Sequence, residues 1–303
     1  MNNKKLLGSF LVAAAGCLWG LMSIFVNGLA DLGLYAMDVI FVRVVVSSVI
    51  MALIILFKDK SLLKVRLRDL WCFFGTGILS LTMFNFCYFS NIRLTSPGVA
   101  AVLMYTSPVF ILLLSAVLFG EKLSVTKLAA CVLTFLGCAL VGGIFGEGIS
   151  LAGLALGLLS GIGYGLYSIF GRYASEKGYS SLTITAYTFF FAVFGALPFT
   201  NLKNISNVFS AASPLHILTA IGGAVLLTVV PYLLYTAGLK YIETGKAGVI
   251  AAIEVVVASL TGYLVFNERF TVSKTAGVLL VLISIAMMNM IKSEKEPKKE
   301  NGI

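Results

Sequence analysis

Ten stretches of this chain are apolar, long enough to cross a bilayer as helices, and separated by short polar connections. They run over residues 6–28, 37–57, 70–91, 97–119, 126–144, 151–173, 182–200, 215–238, 246–266 and 273–291. A hydrocarbon core of about 30 Å takes roughly 20 such residues per helix. Composition agrees: 59% of the residues are hydrophobic and 12% charged, about half the charged share of a soluble domain, and the mean hydropathy is +1.00. The chain reads as an all-α, multi-pass integral membrane protein. Its first stretch follows Lys4 and Lys5 in the manner of a signal peptide, but the apolar core is long and a later segment repeats it, which marks a retained span. Cys17, Cys72, Cys87, Cys131 and Cys138 all lie in or at the edge of spans, so there is neither a disulfide framework nor a thiol metal motif.

The net charge of +9 would fit a nucleic-acid binder if the cations formed a patch. They do not. With the N-terminus in the cytoplasm, inside segments hold 17 of the 22 Lys and Arg residues, and outside loops hold four, Arg93, Lys203, Arg269 and Lys274. This is the positive-inside bias. It places both termini in the cytoplasm, makes the lipid bilayer the surroundings of the chain, and leaves nothing for nucleic acid to explain.

The chain also repeats itself. Residues 88–134 align without a gap on 235–281 at an offset of 147, with Tyr88/Tyr235, Gly98/Gly245, Phe119/Phe266, Glu121/Glu268 and Lys127/Lys274 among the identities. At the front of each half, "GCLWGLMSIF" (16–25) matches "GIGYGLYSIF" (161–170). Five spans per half is an odd number, so the second half enters the membrane from the opposite side and the repeats are inverted, a construction common in transporters. The expected organisation is a first five-helix repeat over 1–146, a second over 147–291, and a charged cytoplasmic tail, "KSEKEPKKENGI", over 292–303.

The stretches "LTSPGVAAVLMYTSPVFILLLSAVLFGEKLSVTKLAACVLTFLGCALV" and "IETGKAGVIAAIEVVVASLTGYLVFNERFTVSKTAGVLLVLISIAMM", with the pair Trp19–Gly20, resemble the two repeats of an EamA-type permease of the drug/metabolite transporter superfamily. The resemblance runs from about residue 8 to 291. It implies ten helices around a central cavity lined mainly by spans 1, 3, 4, 6, 8 and 9 and open alternately to either side. Members mostly export amino acids and related metabolites or toxic analogues, and some import small nutrients. One departure is visible: the family commonly has Glu-Pro in the ninth span, whereas Glu254 is followed by Val255, so the kink that a proline would give is missing there.

Glu254 lies eight residues past Lys246, about 12 Å into the membrane by helical rise. A charged side chain at the bilayer centre costs about 2.5–3.5 kcal/mol on insertion scales, so the carboxyl is expected to face the cavity, either as a partner for a substrate amine, as a proton-coupling group, or as a protonated hydrogen-bond donor between helices. Trp19, Asn85, Tyr105 and Tyr164 sit in spans where the resemblance puts the cavity, and Tyr88, Tyr167, Tyr232 and Tyr235 form a second tier. Aromatic walls with a few polar groups suit small amphipathic or cationic solutes. Three of the tyrosines, Tyr88, Tyr167 and Tyr235, stand nearer helix ends, where aromatics also form interfacial belts. Pro108 and Pro231 free the carbonyls of Met104 and Leu227 and are candidate hinges. Arg43 is expected to snorkel to the outer surface or pair with a helix end, with an outer gate as the alternative. Glu121 and Glu268, with Lys127 and Lys274, suggest helix capping and charge pairing. Glycines at 153, 157, 161 and 165, and at 16 and 20, form stripes for close helix packing.

His216 is the only histidine, which excludes a His-pair metal site, and no phosphate-binding Gly-rich loop is present. No metal and no cofactor are expected, and no catalytic residue is assigned. A membrane enzyme would need clustered catalytic groups, and a lipid scramblase would need a hydrophilic lipid-facing groove; the sequence shows neither. The reading is a secondary transporter of small amphipathic metabolites such as amino acids, an exporter with protons as candidate coupling ions. It would work in a cytoplasmic membrane of bacterial type, as a monomer or homodimer. A facilitated-diffusion carrier or an importer of a small cationic nutrient is the alternative.

Overall fold

The computed structural model describes residues 3–143, 150–269 and 271–290; the tail at 292–303 lies outside them. Ten helices long and apolar enough to cross a membrane are present: α1 (Asn3–Ala30), α2 (Ala36–Lys58), α3 (Leu67–Leu94), α4 (Pro97–Phe119), α5 (Val125–Gly142), α6 (Leu151–Glu176), α7 (Ser181–Phe199), α8 (Pro214–Gly238), α9 (Thr244–Val265) and α10 (Val272–Met290). No strand occurs among the described residues. Serine sets several starts. The side chains of Ser96, Ser124, Ser150, Ser180 and Ser213 each accept the N–H three residues on, and Pro97 and Pro214 follow two of them. That is the chemistry a helix N-terminus selects. Gly120, at φ +67°, ends α4 in the left-handed region that side chains rarely adopt.

Residues near the two described chain ends pack against connections of the bundle. Gly8 abuts Tyr241 and Ile242 in the α8–α9 connection, and Met288 packs with Leu112, Cys131 and Ala130 beside the α4–α5 connection. The end that holds these connections is the terminal end below; the other is the far end.

The two halves interleave through the glycine stripes. A Cβ at Gly16 or Gly20 of α1 would come within 2.6 or 2.5 Å of Ile253 or Val257 of α9, and one at Gly157 or Gly161 of α6 would come within 2.3 or 2.4 Å of Leu103 or Thr106 of α4. Only bare backbone fits there. The helices α5 and α10 form the most extensive pair, with Gly137 against the Gly277 carbonyl and Thr134 hydrogen-bonded to Ser284 at 2.8 Å.

In α1 the helix stops at Gly20 and resumes at Met22, and four further spans are interrupted in related pairs. In α4 the helix stops at Met104 and resumes at Ser107; in α9 it stops at Ala251 and resumes at Ile253. The missing proline of α9 therefore does not give an unbroken helix, which corrects that expectation. The tight contacts Ala252 N–H to Val249 O (3.1 Å) and Val255 N–H to Ala252 O (3.0 Å) close the break, and Gly16 and Gly20 let α1 lie against the exposed Ala251 and Glu254 carbonyls. Packing supplies what proline would have. In α3 and α8 wide π-type turns cover Gly75–Thr82 and Val225–Val229, the latter just before Pro231. The loosened carbonyls are partly recovered by side chains: the Thr82 hydroxyl donates to Gly77 O (3.1 Å) and Asn85 Nδ2 donates to Leu81 O (2.7 Å).

Candidate functional site

These interruptions border a cavity of about 630 Å³ in the middle of the bundle. Trp19, Arg43, Asn85, Tyr88, Tyr105, Tyr164, Tyr167, Tyr232, Tyr235 and Glu254 all line it; Pro108 and Pro231 do not. The prolines shape the helices behind the wall. Trp19 is the hub of the aromatic surface, with ring centroids at 5.3 Å from Tyr232, 5.4 Å from Tyr235 and 6.3 Å from Tyr164. Tyr167 stands edge-on to Tyr232 at 4.9 Å. Two hydroxyls of this cluster are held in place: Tyr167 pairs with Thr236 (2.6 Å) and Tyr235 with Ser168 (2.7 Å). Tyr88, Tyr167 and Tyr235 thus belong to the cavity wall rather than to an interfacial belt, because the helix breaks carry the open space toward the span ends.

Glu254 stands in the first turn after the α9 break, where a carboxylate is favoured by the helix dipole. Its Oε2 accepts a hydrogen bond from the Tyr164 hydroxyl at 2.9 Å, and the Tyr105 hydroxyl, at the break of α4, faces the same carboxyl. Arg43 enters from α2. It is 6% exposed, its Nη1 meets only the Met22 sulfur at 3.5 Å, and its Nε has no partner. The expected snorkelling does not occur. The guanidinium borders the central cavity instead of reaching the membrane surface. Arg43 and Glu254 line the same cavity as the Trp19 cluster, so it presents a cation, a carboxyl and an aromatic wall together.

Ser23, Ser168 and Phe84 also line the cavity and were missed. A signal existed for the serines: Ser23 and Ser168 are the repeated serine of "GLMSIF" and "GLYSIF". Phe84 had only its helical spacing from Tyr88 to recommend it; their rings stand 5.9 Å apart.

The two ends of the cavity differ. Asn27, Pro97, Gly98, Glu268 and Lys274 line it toward the far end. At the terminal end the two oxygens of Glu121 accept the N–H groups of Thr244 (2.7 Å) and Gly245 (3.1 Å) at the start of α9. Arg172 reaches the same carboxylate at 3.4 Å and lies over the Phe119 ring, and Lys127 bridges to Glu243. The expected pairing of Glu121 with Lys127 is replaced by capping of a helix in the other half. Its repeat counterpart Glu268 caps nothing: it pairs with Lys274 at 2.6 Å, and its side chain is 53% exposed where that of Glu121 is 6% exposed.

Comparison with known proteins accounts for this architecture. The model of the EamA-like transporter family matches residues 6–143 and again 151–290. The chain is a member of the EamA-like transporter family, within the drug/metabolite transporter superfamily. Among its EamA relatives, an uncharacterized transporter of Archaeoglobus fulgidus is 29% identical over 92% of this chain and 94% of that protein. An uncharacterized transporter of Helicobacter pylori is 28% identical over 99% of this chain and 100% of its own. A protein of known crystal structure superposes with a TM-score of 0.75 over 92% of this chain and 95% of the other, at 17% identity, and so shares the fold. The protein is a multi-pass membrane transporter.

Proposed function

We propose that the chain is a secondary transporter that moves a small amphipathic metabolite of the amino-acid type through a cytoplasmic membrane by alternating access. The observation that carries the reading is the central cavity lined by Arg43, Glu254 and the Trp19 cluster. The free guanidinium takes the substrate carboxylate, Glu254 takes the amine, and the rings hold the apolar part. The halves are inverted repeats, and both termini are cytoplasmic, as the cation bias requires. With that orientation the cavity faces outward.

Return to the inward-open form exchanges the roles of Glu121 and Glu268. Glu121 releases the start of α9, and Glu268 caps the start of α4 at Gly98, the position related by the same offset of 147. Glu254 couples this exchange to protons: it carries a proton when no amine is bound and yields it when one arrives. Net movement is export, on the strength of the resemblance to exporters of the family.

The test is a labelled amino-acid panel in reconstituted vesicles, with flux under an imposed pH step compared with counterflow at equal pH. Glu254→Gln is expected to lower gradient-driven flux by about tenfold or more, a change of roughly 1.4 kcal/mol, while counterflow persists. Unchanged gradient-driven flux would assign facilitated diffusion instead, and no saturable counterflow with any amino acid would remove the substrate class.

A further inference from the structure

At the terminal end, away from the transport path, the α2–α3 and α6–α7 connections enclose a second cavity of about 360 Å³. Lys64, Arg66 and Lys177 line it together with the hydroxyl-bearing Ser61, Tyr179 and Ser180. The site is built on a buried carboxylate. Asp69, 0% exposed, accepts from the Tyr179 hydroxyl (2.7 Å) and Arg66 Nε (2.7 Å) and pairs with Lys177 at 2.9 Å. The Tyr179 oxygen in turn accepts the Arg66 backbone N–H (3.2 Å). One carboxylate thus fixes two cations without neutralising both, and their side chains stay 52% and 32% exposed. Lys64 makes no ion pair among the described residues. Asp59 is the other acid nearby, and its carboxyl is held below the usual range by hydrogen bonds from the Ser61 hydroxyl and N–H. It stays charged, yet residues 58–69 and Lys177 still carry six cations against these two acids.

Two further observations say what such a cavity receives. The repeat-related stretch of the other half, "SNVFSAASPL" (206–215), has no charged residue, so the cluster is not something the fold needs twice. Beside the cavity, Leu67 is 84% exposed and Trp71 43% exposed, and Lys177 Nζ stands 5.8 Å from the Trp71 ring centroid. Cations above an interfacial tryptophan and exposed leucines match a phosphate headgroup with its acyl chains running down the helix face.

We propose that this cavity binds the phosphate of an anionic phospholipid in the leaflet at the terminal end. The site clamps the two halves to each other: the Thr183 hydroxyl donates to Leu62 O (3.0 Å) and that of Tyr187 to Leu63 O (2.8 Å) across its floor. It does not depend on what the central cavity carries.

Trp71 reports on the site, since Trp19 is the only other tryptophan and Trp19→Phe leaves Trp71 alone. The full chain is reconstituted in mixed phosphatidylglycerol and phosphatidylcholine vesicles, with bromine on the acyl chains of one lipid or the other. Brominated phosphatidylglycerol is expected to quench Trp71 about threefold or more beyond its share of the bilayer, as a charged site near a leaflet requires. The excess should fall to the bulk value in Lys64→Gln, which breaks no described contact, and in Lys177→Gln. Equal quenching by the two lipids, or an excess unchanged in both variants, overturns the proposal. Loss of the excess on adding inorganic phosphate assigns the cavity to soluble phosphate and overturns the lipid reading.

Discussion

Trp19 makes three ring contacts, and aromatic pairs of this kind are worth about 0.5–1.5 kcal/mol each beyond their buried area. Its neighbours keep partners of their own, as Tyr235 does with Ser168. Trp19→Ala should therefore stay folded in detergent and bind substrate roughly tenfold more weakly, measured by titration calorimetry with the best solute of the panel. Wild-type affinity in both Trp19→Ala and Tyr164→Ala would remove the aromatic wall from the binding site. At this scale Glu254 was legible, because a carboxylate inside an apolar run is costly wherever the helix ends up. Arg43 was not. Its distance from the span end permitted an escape to the surface, and only the position of α2 beside Met22 and the cavity turns it inward.

Among the elements, the glutamate that follows the broken helix α4 caps the start of the other broken helix, α9. A hydrogen bond to a charged group is worth about 1.5–3 kcal/mol, and Glu121 accepts two from backbone N–H groups. Ser115 is buried behind this contact, near Gly245. A Ser115→Cys reporter should react slowly with a water-soluble maleimide in the parent protein and about tenfold faster or more once Glu121→Gln weakens the cap. Glu268→Gln should leave that rate unchanged, because Glu268 holds no helix start in this state. Equal acceleration by both variants would show that the terminal end is not closed by Glu121. The sequence paired the two glutamates by repetition, but repetition cannot say which is engaged.

For the whole molecule, the cation bias and the alternation of ten spans predict one orientation. Single-cysteine variants at Lys60, on the α2–α3 connection, and at Ser206, in the short helix Leu202–Ala211 between α7 and α8, should differ in intact cells. Ser206→Cys should label with an impermeant reagent and Lys60→Cys only after the membrane is opened. The reverse pattern would turn the protein over and make the far end of the cavity face inward.

The number and placing of the spans, their capped starts and the internal repeat were set by the sequence alone, because hydrophobic length, Ser-led caps and identities at a constant offset are local properties of the chain. Tertiary structure decided the rest. The broken α9 packs against Gly16 and Gly20 of α1, and Glu121 caps its start by finding N–H groups 123 and 124 residues away. Such contacts join segments far apart in the chain, and their energies exist only once both halves are folded against each other.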